Sequence, residues 1–322
     1  MRRSPRIRSF PATTLDALPE LEYDSMLASV GYEQRSRQIA EASAASGVAI
    51  PFGDRRVLDY PRNREFFEKR EWDQPSLEGS SCFAVVSDWL NGVVDGNGRP
   101  TRVAVDISSM SRNRIADVVE AVVSLPPEVE IDIDFLYTPA KFRAPAEEDE
   151  PPVFKVAPVS SFFAGWWDAL DEPLFVVVGL GYELQRAASA LDVLEPAGAQ
   201  IYVPVGTDKR YLEAVQVSNE GLFDVPSVHE IQVRYNVADP FECFRRLEAS
   251  VARLEHGHRV ALVPLGPKIF ALVAVLTAAF HRTTAQVIRV SAGERQEPLP
   301  QESDGNLYGL TLALRPPSDE GE

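Results

Sequence analysis

A short apolar run ending in Gly-Tyr-Glu occurs twice in this chain, and each time it opens into a segment with the composition of a helix. The first copy is Met26 to Val30 followed by Gly31-Tyr32-Glu33-Gln34-Arg35, and the second is Phe175 to Leu180 followed by Gly181-Tyr182-Glu183-Leu184-Gln185-Arg186. A run this short, bounded by a glycine, reads as a buried strand, and the Ala-, Gln- and Arg-containing stretch behind it as a returning helix. Repetition of strand, turn and helix confines the chain to the α/β class with a mainly parallel sheet. A glutamate and an arginine at the top of a buried strand have no packing role there, whereas the carboxyl ends of strands are where open α/β sheets hold ligands. The recurrence predicts an internal duplication with a site at each turn.

A length of 322 residues accommodates two domains. The acidic, proline-containing run Glu147-Glu148-Asp149-Glu150-Pro151-Pro152 marks the natural boundary between them. The expected division is a first lobe over 1–145, a linker with a packing helix over 146–172 (Ser160 to Leu170, carrying Phe162, Phe163, Trp166 and Trp167), and a second lobe over 173–322. The first 22 or so residues have little periodicity and are expected to form an arm or a capping segment. Gln286 to Val290 and Leu307 to Leu314 are expected to close the second sheet. Glu128 to Tyr137 alternates apolar and acidic residues, the pattern of a half-exposed strand near a sheet edge.

The formal net charge of −16 opposes binding to long nucleic acid or to an anionic membrane. A small anionic ligand is compatible with it, because one arginine and a few backbone N–H groups suffice to hold a phosphate. The two cysteines, Cys82 and Cys243, each stand beside a phenylalanine, so two buried thiols are expected rather than a disulfide or a zinc site. The basic start leads into no apolar stretch of the kind a secretory signal needs, and a cytoplasmic location is the expectation. Val260 to Phe280 is long and apolar, but Pro264-Leu265-Gly266-Pro267-Lys268 divides it into a strand and a helix. Arginines, a lysine and acids alternate with aromatics from Gly53 to Trp72; their near balance favours a solvated helix face laced with ion pairs over a grip on single-stranded nucleic acid.

Two further strand-loop-helix units carry chemistry. In the first half, Arg102 to Val105 runs into Asp106-Ile107-Ser108-Ser109-Met110-Ser111-Arg112 and then a helix, which places hydroxyls and free N–H groups at a helix N-terminus. In the second, Val260 to Val263 runs into the Gly266 and Lys268 turn. If the sheets are doubly wound, each of these loops shares a carboxyl edge with a Gly-Tyr-Glu loop. One site would gather Tyr32, Glu33, Arg35, Asp106, Ser108, Ser109 and Arg112. The other would gather Tyr182, Glu183, Arg186, Gly266 and Lys268. Glu33, Asp106 and Glu183 are the candidate general acids or bases, and the arginines and Lys268 the candidate phosphate holders. A glutamate at a helix start also complements the helix dipole, and Ser111 is best read as a plain helix cap. All four histidines lie in the second half, away from the serine loop, which disfavours a Ser-His-Asp hydrolase and a histidine-based metal site. Gly179-Leu180-Gly181 is followed by Leu184 where a dinucleotide fingerprint needs its third glycine, and there is no Walker loop. No metal and no resident cofactor is expected.

The strand, the Pro264-Leu265-Gly266-Pro267-Lys268 turn and the Ala271-Leu272-Val273-Ala274 helix resemble, over Val260 to Ala279, the CRISPR-associated Rossmann-like (CARF) sensor domains and the related SAVED domains. That resemblance implies two Rossmann-like lobes around a pseudo-twofold axis, a lysine-containing turn that helps bind a cyclic oligonucleotide, and a role in antiviral defence with a separate effector protein reading out the bound state. Asp106 to Arg112 departs from the pattern in having no lysine at the matching place. Three functions follow as expectations: a nucleotide-binding sensor; a nucleotide-processing enzyme cleaving an N-glycosidic or phosphodiester bond with Glu33 and Asp106, or with Glu183; and a scaffold for assembly, which leaves the Glu and Arg of both turns without a role.

Overall fold

The computed structural model describes residues 5–53, 56–94, 100–145, 155–165, 171–183, 185–223, 232–291 and 298–317. The acidic run at 147–152 and the tryptophans at 166 and 167 lie outside them. In chain order the strands are β1 (Arg6–Thr14), β2 (Ser25–Val30), β3 (Gly47–Pro51), β4 (Thr101–Asp106), β5 (Ile131–Tyr137) and β6 (Lys155–Pro158). They continue with β7 (Leu174–Gly179), β8 (Gly198–Val205), β9 (Gln232–Asn236), β10 (Arg259–Pro264), β11 (Ala285–Ser291) and β12 (Asn306–Leu314). The helices are α1 (Gln38–Ala42), α2 (Tyr60–Lys69), α3 (Cys82–Val94), α4 (Arg112–Val123), α5 (Arg186–Leu194), α6 (Lys209–Ser218), α7 (Glu220–Phe223), α8 (Pro240–Leu254) and α9 (Lys268–Phe280).

The chain divides into two compact units, Met1–Lys141 with Pro298–Glu322, and Phe142–Glu297. Each is built on a six-stranded mixed sheet, mostly parallel, so the α/β class with two lobes holds. In the first unit the order is β1-β12-β5-β4-β2-β3, with β5, β4, β2 and β3 parallel, β12 antiparallel to β5, and β1 antiparallel to β12. β2 is buried along its whole length, as its apolar run requires. One face of this sheet packs Met26, Ala28 and Ala104 against Ile39 and Ala40 of α1 and Tyr60 and Phe67 of α2. α4 turns Arg114, Ile115, Val118, Val119 and Val122 inward at helical spacing and packs on α3. Ser111 caps α4 as its position suggests, accepting from the Arg114 N–H at 3.3 Å.

The second unit has the order β6-β11-β10-β7-β8-β9, parallel except for β6. α8 buries Cys243, Phe244, Leu247, Val251 and Leu254, the amphipathic stripe of its sequence, and α9 is buried from Ile269 to Ala278. Val260 to Phe280 is thus a central strand and a core helix. No helix among the described residues is long and apolar enough to cross a membrane. Cys82 and Cys243 are free and buried, and burial pushes the Cys82 thiol up to about 12.

Three expectations about the sheets are corrected. Leu307 to Leu314 does not close the second sheet: β12 lies in the first, between β5 and β1, with Leu310 opposite Phe135 and Thr311 opposite Asp134. The supposed N-terminal arm contains β1, the edge strand that β12 pairs with. β5, in turn, is not a half-exposed edge strand. Its acids are satisfied inside the sheet layer, Asp134 by Arg102 (Nε 3.0 Å, Nη2 2.7 Å) and by the Thr311 hydroxyl (2.5 Å), and Asp132 by Arg8 (2.7 Å) and Arg315 (2.6 Å). An alternation that looks like a solvated face is here a face of carboxylates matched by arginines from other strands and the C-terminal segment. In the second unit β6, within the stretch taken as linker, pairs antiparallel with β11.

Between Gly53 and Trp72 the mixed charges do form helical ion pairs, Arg64–Glu68 at 2.8 Å and Lys69–Glu65 at 2.6 Å on α2.

Candidate functional site

In the first sheet β2 leads through α1 to β3 on one side, while β4 leads through α4 to β5 on the other. The loops after β2 and β4 therefore diverge, and a crevice is expected between them at the carboxyl ends, the topological switch point of an open α/β sheet. The second sheet repeats this arrangement at β7 and β10, and four strands correspond in order: β5-β4-β2-β3 and β11-β10-β7-β8. The two pairs of loops singled out in the sequence are the loops at these two switch points.

The first switch point is polar and buried. Glu33, Arg35, Ser36, Asp106, Ser108 and Ser109 are all withdrawn from solvent. Arg35 donates through Nε to the Glu33 carboxylate and through Nη1 to the Thr138 carbonyl at 3.2 Å. Burial by itself would lower the pKa of Arg35, but the charge and hydrogen bond of Glu33, with Tyr137 beside it, raise it, so the guanidinium stays charged. Asp106, the last residue of β4, accepts the Ser108 N–H on Oδ1 at 2.8 Å, and its Oδ2 has no partner. Burial pushes the Asp106 carboxyl up to about 7; Ser108 and the charge of Arg35 oppose the rise, and the charge of Glu33 adds to it. Two more buried atoms here lack partners, the hydroxyls of Ser36 and Ser109. They are close neighbours: a Cβ on Gly31 would stand 2.5 Å from Ser36 Oγ and 3.5 Å from Ser109 Cβ. Glycine at 31 leaves room for the Ser36 side chain of its own loop, while Ser109 of the β4 loop is at ordinary contact distance.

Ser108 Oγ accepts from the Thr138 N–H at 3.0 Å, tying the β4 loop to the end of β5. The Tyr32 ring packs on the core cluster with its centroid 6.5 Å from Phe52. Arg112 opens α4 and is half-buried.

Two residues that the sequence does not advertise hold the site together. Asn63 of α2 donates through Nδ2 to the carbonyls of Gly31 (2.9 Å) and Glu33 (2.7 Å) and accepts from Arg37 at 2.7 Å. Arg114 of α4 reaches across to the Ser29 hydroxyl (3.2 Å) and the Ile50 carbonyl (2.8 Å), with its guanidinium 4.0 Å from the centre of the Phe52 ring. It is Arg114, two residues on from the expected Arg112, that clamps β2, β3 and α4 together.

The second switch point has the same outline with different chemistry. Glu183 pairs with Arg186 at 3.6 Å. Asn219 donates to the Gly181 carbonyl at 2.9 Å, as Asn63 does to that of Gly31. The Gly266 N–H donates to the Gly179 carbonyl at 3.1 Å, and a Cβ at 266 would fall on the Leu180 carbonyl, so the β7 and β10 loops touch through backbone. Lys268 opens α9, and the Tyr182 ring lies 5.9 Å from that of Tyr211. Where β4 ends in Asp106, β10 ends in Pro264, so this point lacks the buried carboxyl of the first. Among the described residues no group of three or more His, Cys, Asp or Glu side chains could hold a metal ion.

No family model and no curated protein matches the chain.

Proposed function

We propose that the protein is a sensor that binds a nucleotide or a nucleotide-derived signal at the first switch point, and that its two units arose by internal duplication. The observation that carries the reading is that the two loops of this switch point, which hold the Glu33–Arg35 pair, also hold three buried, unpartnered polar atoms, Asp106 Oδ2, Ser36 Oγ and Ser109 Oγ. Buried polar groups are nearly always hydrogen-bonded, so three orphans in two adjoining strand-end loops are candidates for a partner from outside the chain. The CARF-like turn at Gly266 and Lys268 supports a nucleotide as that partner and a defence setting with a separate effector.

A second reading, an enzyme acting on the nucleotide, is favoured by one observation: Asp106, whose carboxyl burial pushes up to about 7, lies beside Glu33, and a raised carboxyl is what general acid catalysis uses. Incubating the purified chain with NAD, ATP and cyclic oligonucleotides separates the readings. A rise in melting temperature without turnover is the result expected of a sensor. Turnover abolished by Glu33→Gln assigns the enzyme, and neither response from any compound overturns both.

A further inference from the structure

Resting on that reading, we infer that the first switch point recognises the vicinal hydroxyls of a ribose and leaves phosphate outside. The cation of this site is already engaged. Arg35 is shared between the Glu33 carboxylate and the Thr138 carbonyl, and the two charged side chains are only 8% and 11% exposed, so a phosphate drawing Arg35 away would strand a buried glutamate. Arg114, the other buried guanidinium, is engaged with Ser29, Ile50 and the Phe52 ring. The orphan atoms are a carboxyl oxygen and two hydroxyls. A phosphate set against them would meet the charge of Glu33. A diol meets what it needs: carboxyl oxygens that accept from its O–H groups, and serine hydroxyls that donate to its oxygens or accept from them. All three atoms are sealed from solvent, so the sugar reaches them only as the loops at 31–37 and 107–111 part.

The test uses the full chain and four ribonucleosides, their 2′,3′-dideoxy counterparts, ATP and inorganic pyrophosphate, read by calorimetry and thermal shift. At least one ribonucleoside is expected to bind within about tenfold of its nucleotide, and its dideoxy counterpart at least about 100-fold more weakly, since a site built around hydroxyls rejects an analogue without them. Pyrophosphate is expected to produce no shift. Ser109→Ala and Asp106→Asn should each weaken the ribonucleoside about tenfold; the alanine variant serves if the asparagine one fails to fold. Pyrophosphate binding, or equal binding of ribo- and dideoxy forms, overturns the diol inference and leaves a nucleotide site standing. Silence from every compound, ATP included, overturns the diol inference and assigns the orphan atoms to ordered water; the sensor reading falls only if NAD and cyclic oligonucleotides are silent as well.

Discussion

Replacing Asp106 by asparagine isolates the free energy of keeping a carboxyl where water does not reach it. The side chain is 1% exposed, and its pKa rises from 3.8 to about 7 on folding. At about 1.4 kcal/mol per pH unit, a rise of about 3 units amounts to roughly 4 kcal/mol between fully protonated and fully ionised limits. The sign follows from proton counting. Between pH 4 and 7 the unfolded chain has released this proton and the folded chain retains it, so stability falls as pH rises, by up to about 1.4 kcal/mol per unit, and levels off above about 7. Asparagine has the shape of the neutral acid, keeps an oxygen to accept the Ser108 N–H and has no proton to lose in this range. Near pH 4 the two proteins should therefore unfold within about 1 kcal/mol of each other, and by pH 8 the variant should be more stable by up to roughly 4 kcal/mol. Urea unfolding at pH intervals from 4 to 8 reads this directly, the first unit's transition being the one that the substitution moves. Parallel stability curves would refute the argument, because they would mean that water or a counter-charge reaches Asp106 in the folded state.

Asn63→Ala leaves the Gly31 and Glu33 carbonyls without their shared donor, and a loss of about 2–3 kcal/mol in the first unit's unfolding transition is expected; a change under about 0.5 kcal/mol in urea melts would show that water replaces the amide without cost. Gly266→Ala sets a methyl on the Leu180 carbonyl and should destabilise the second unit by about 1–3 kcal/mol. Gly257→Ala, with nothing within 4 Å of the added carbon, should be neutral or stabilising by up to about 1 kcal/mol, both variants being read by urea unfolding.

Helix and strand identity was legible wherever the pattern was local. α3 spans Cys82 to Val94, the limits its own amphipathic pattern suggests, and the glycine turns after β2 and β7 place both switch points because a turn's chemistry resides in its own few residues. Pairing across the chain was not legible. Nothing in Leu307 to Leu314 says which sheet it joins, since the choice depends on Phe135, Asp134 and Phe10 far away in sequence. The acids of β5 misled for a related reason: their arginine partners come from β1, β4 and the segment after β12. In the site, Glu33, Asp106 and Ser109 could be read from their position at strand ends, whereas Ser36 reads only as the start of a helix. Asn63 and Arg114 could not, because their partners are backbone carbonyls of other elements, and a single polar residue on a helix carries no spacing to mark it.

The place of β12 bears on how the polypeptide comes off the ribosome. The whole of the second unit, Phe142–Glu297, is synthesised after β5 and before β12, so the strand that should lie between β5 and β1 arrives only after the 168 residues from 138 to 305 have emerged. Until then β5 has an uncovered flank, β1 has nothing to pair with, and Asp134 waits for Thr311. During that interval the nascent first unit is an open-edged sheet, and the later-made unit is free to complete its own sheet first.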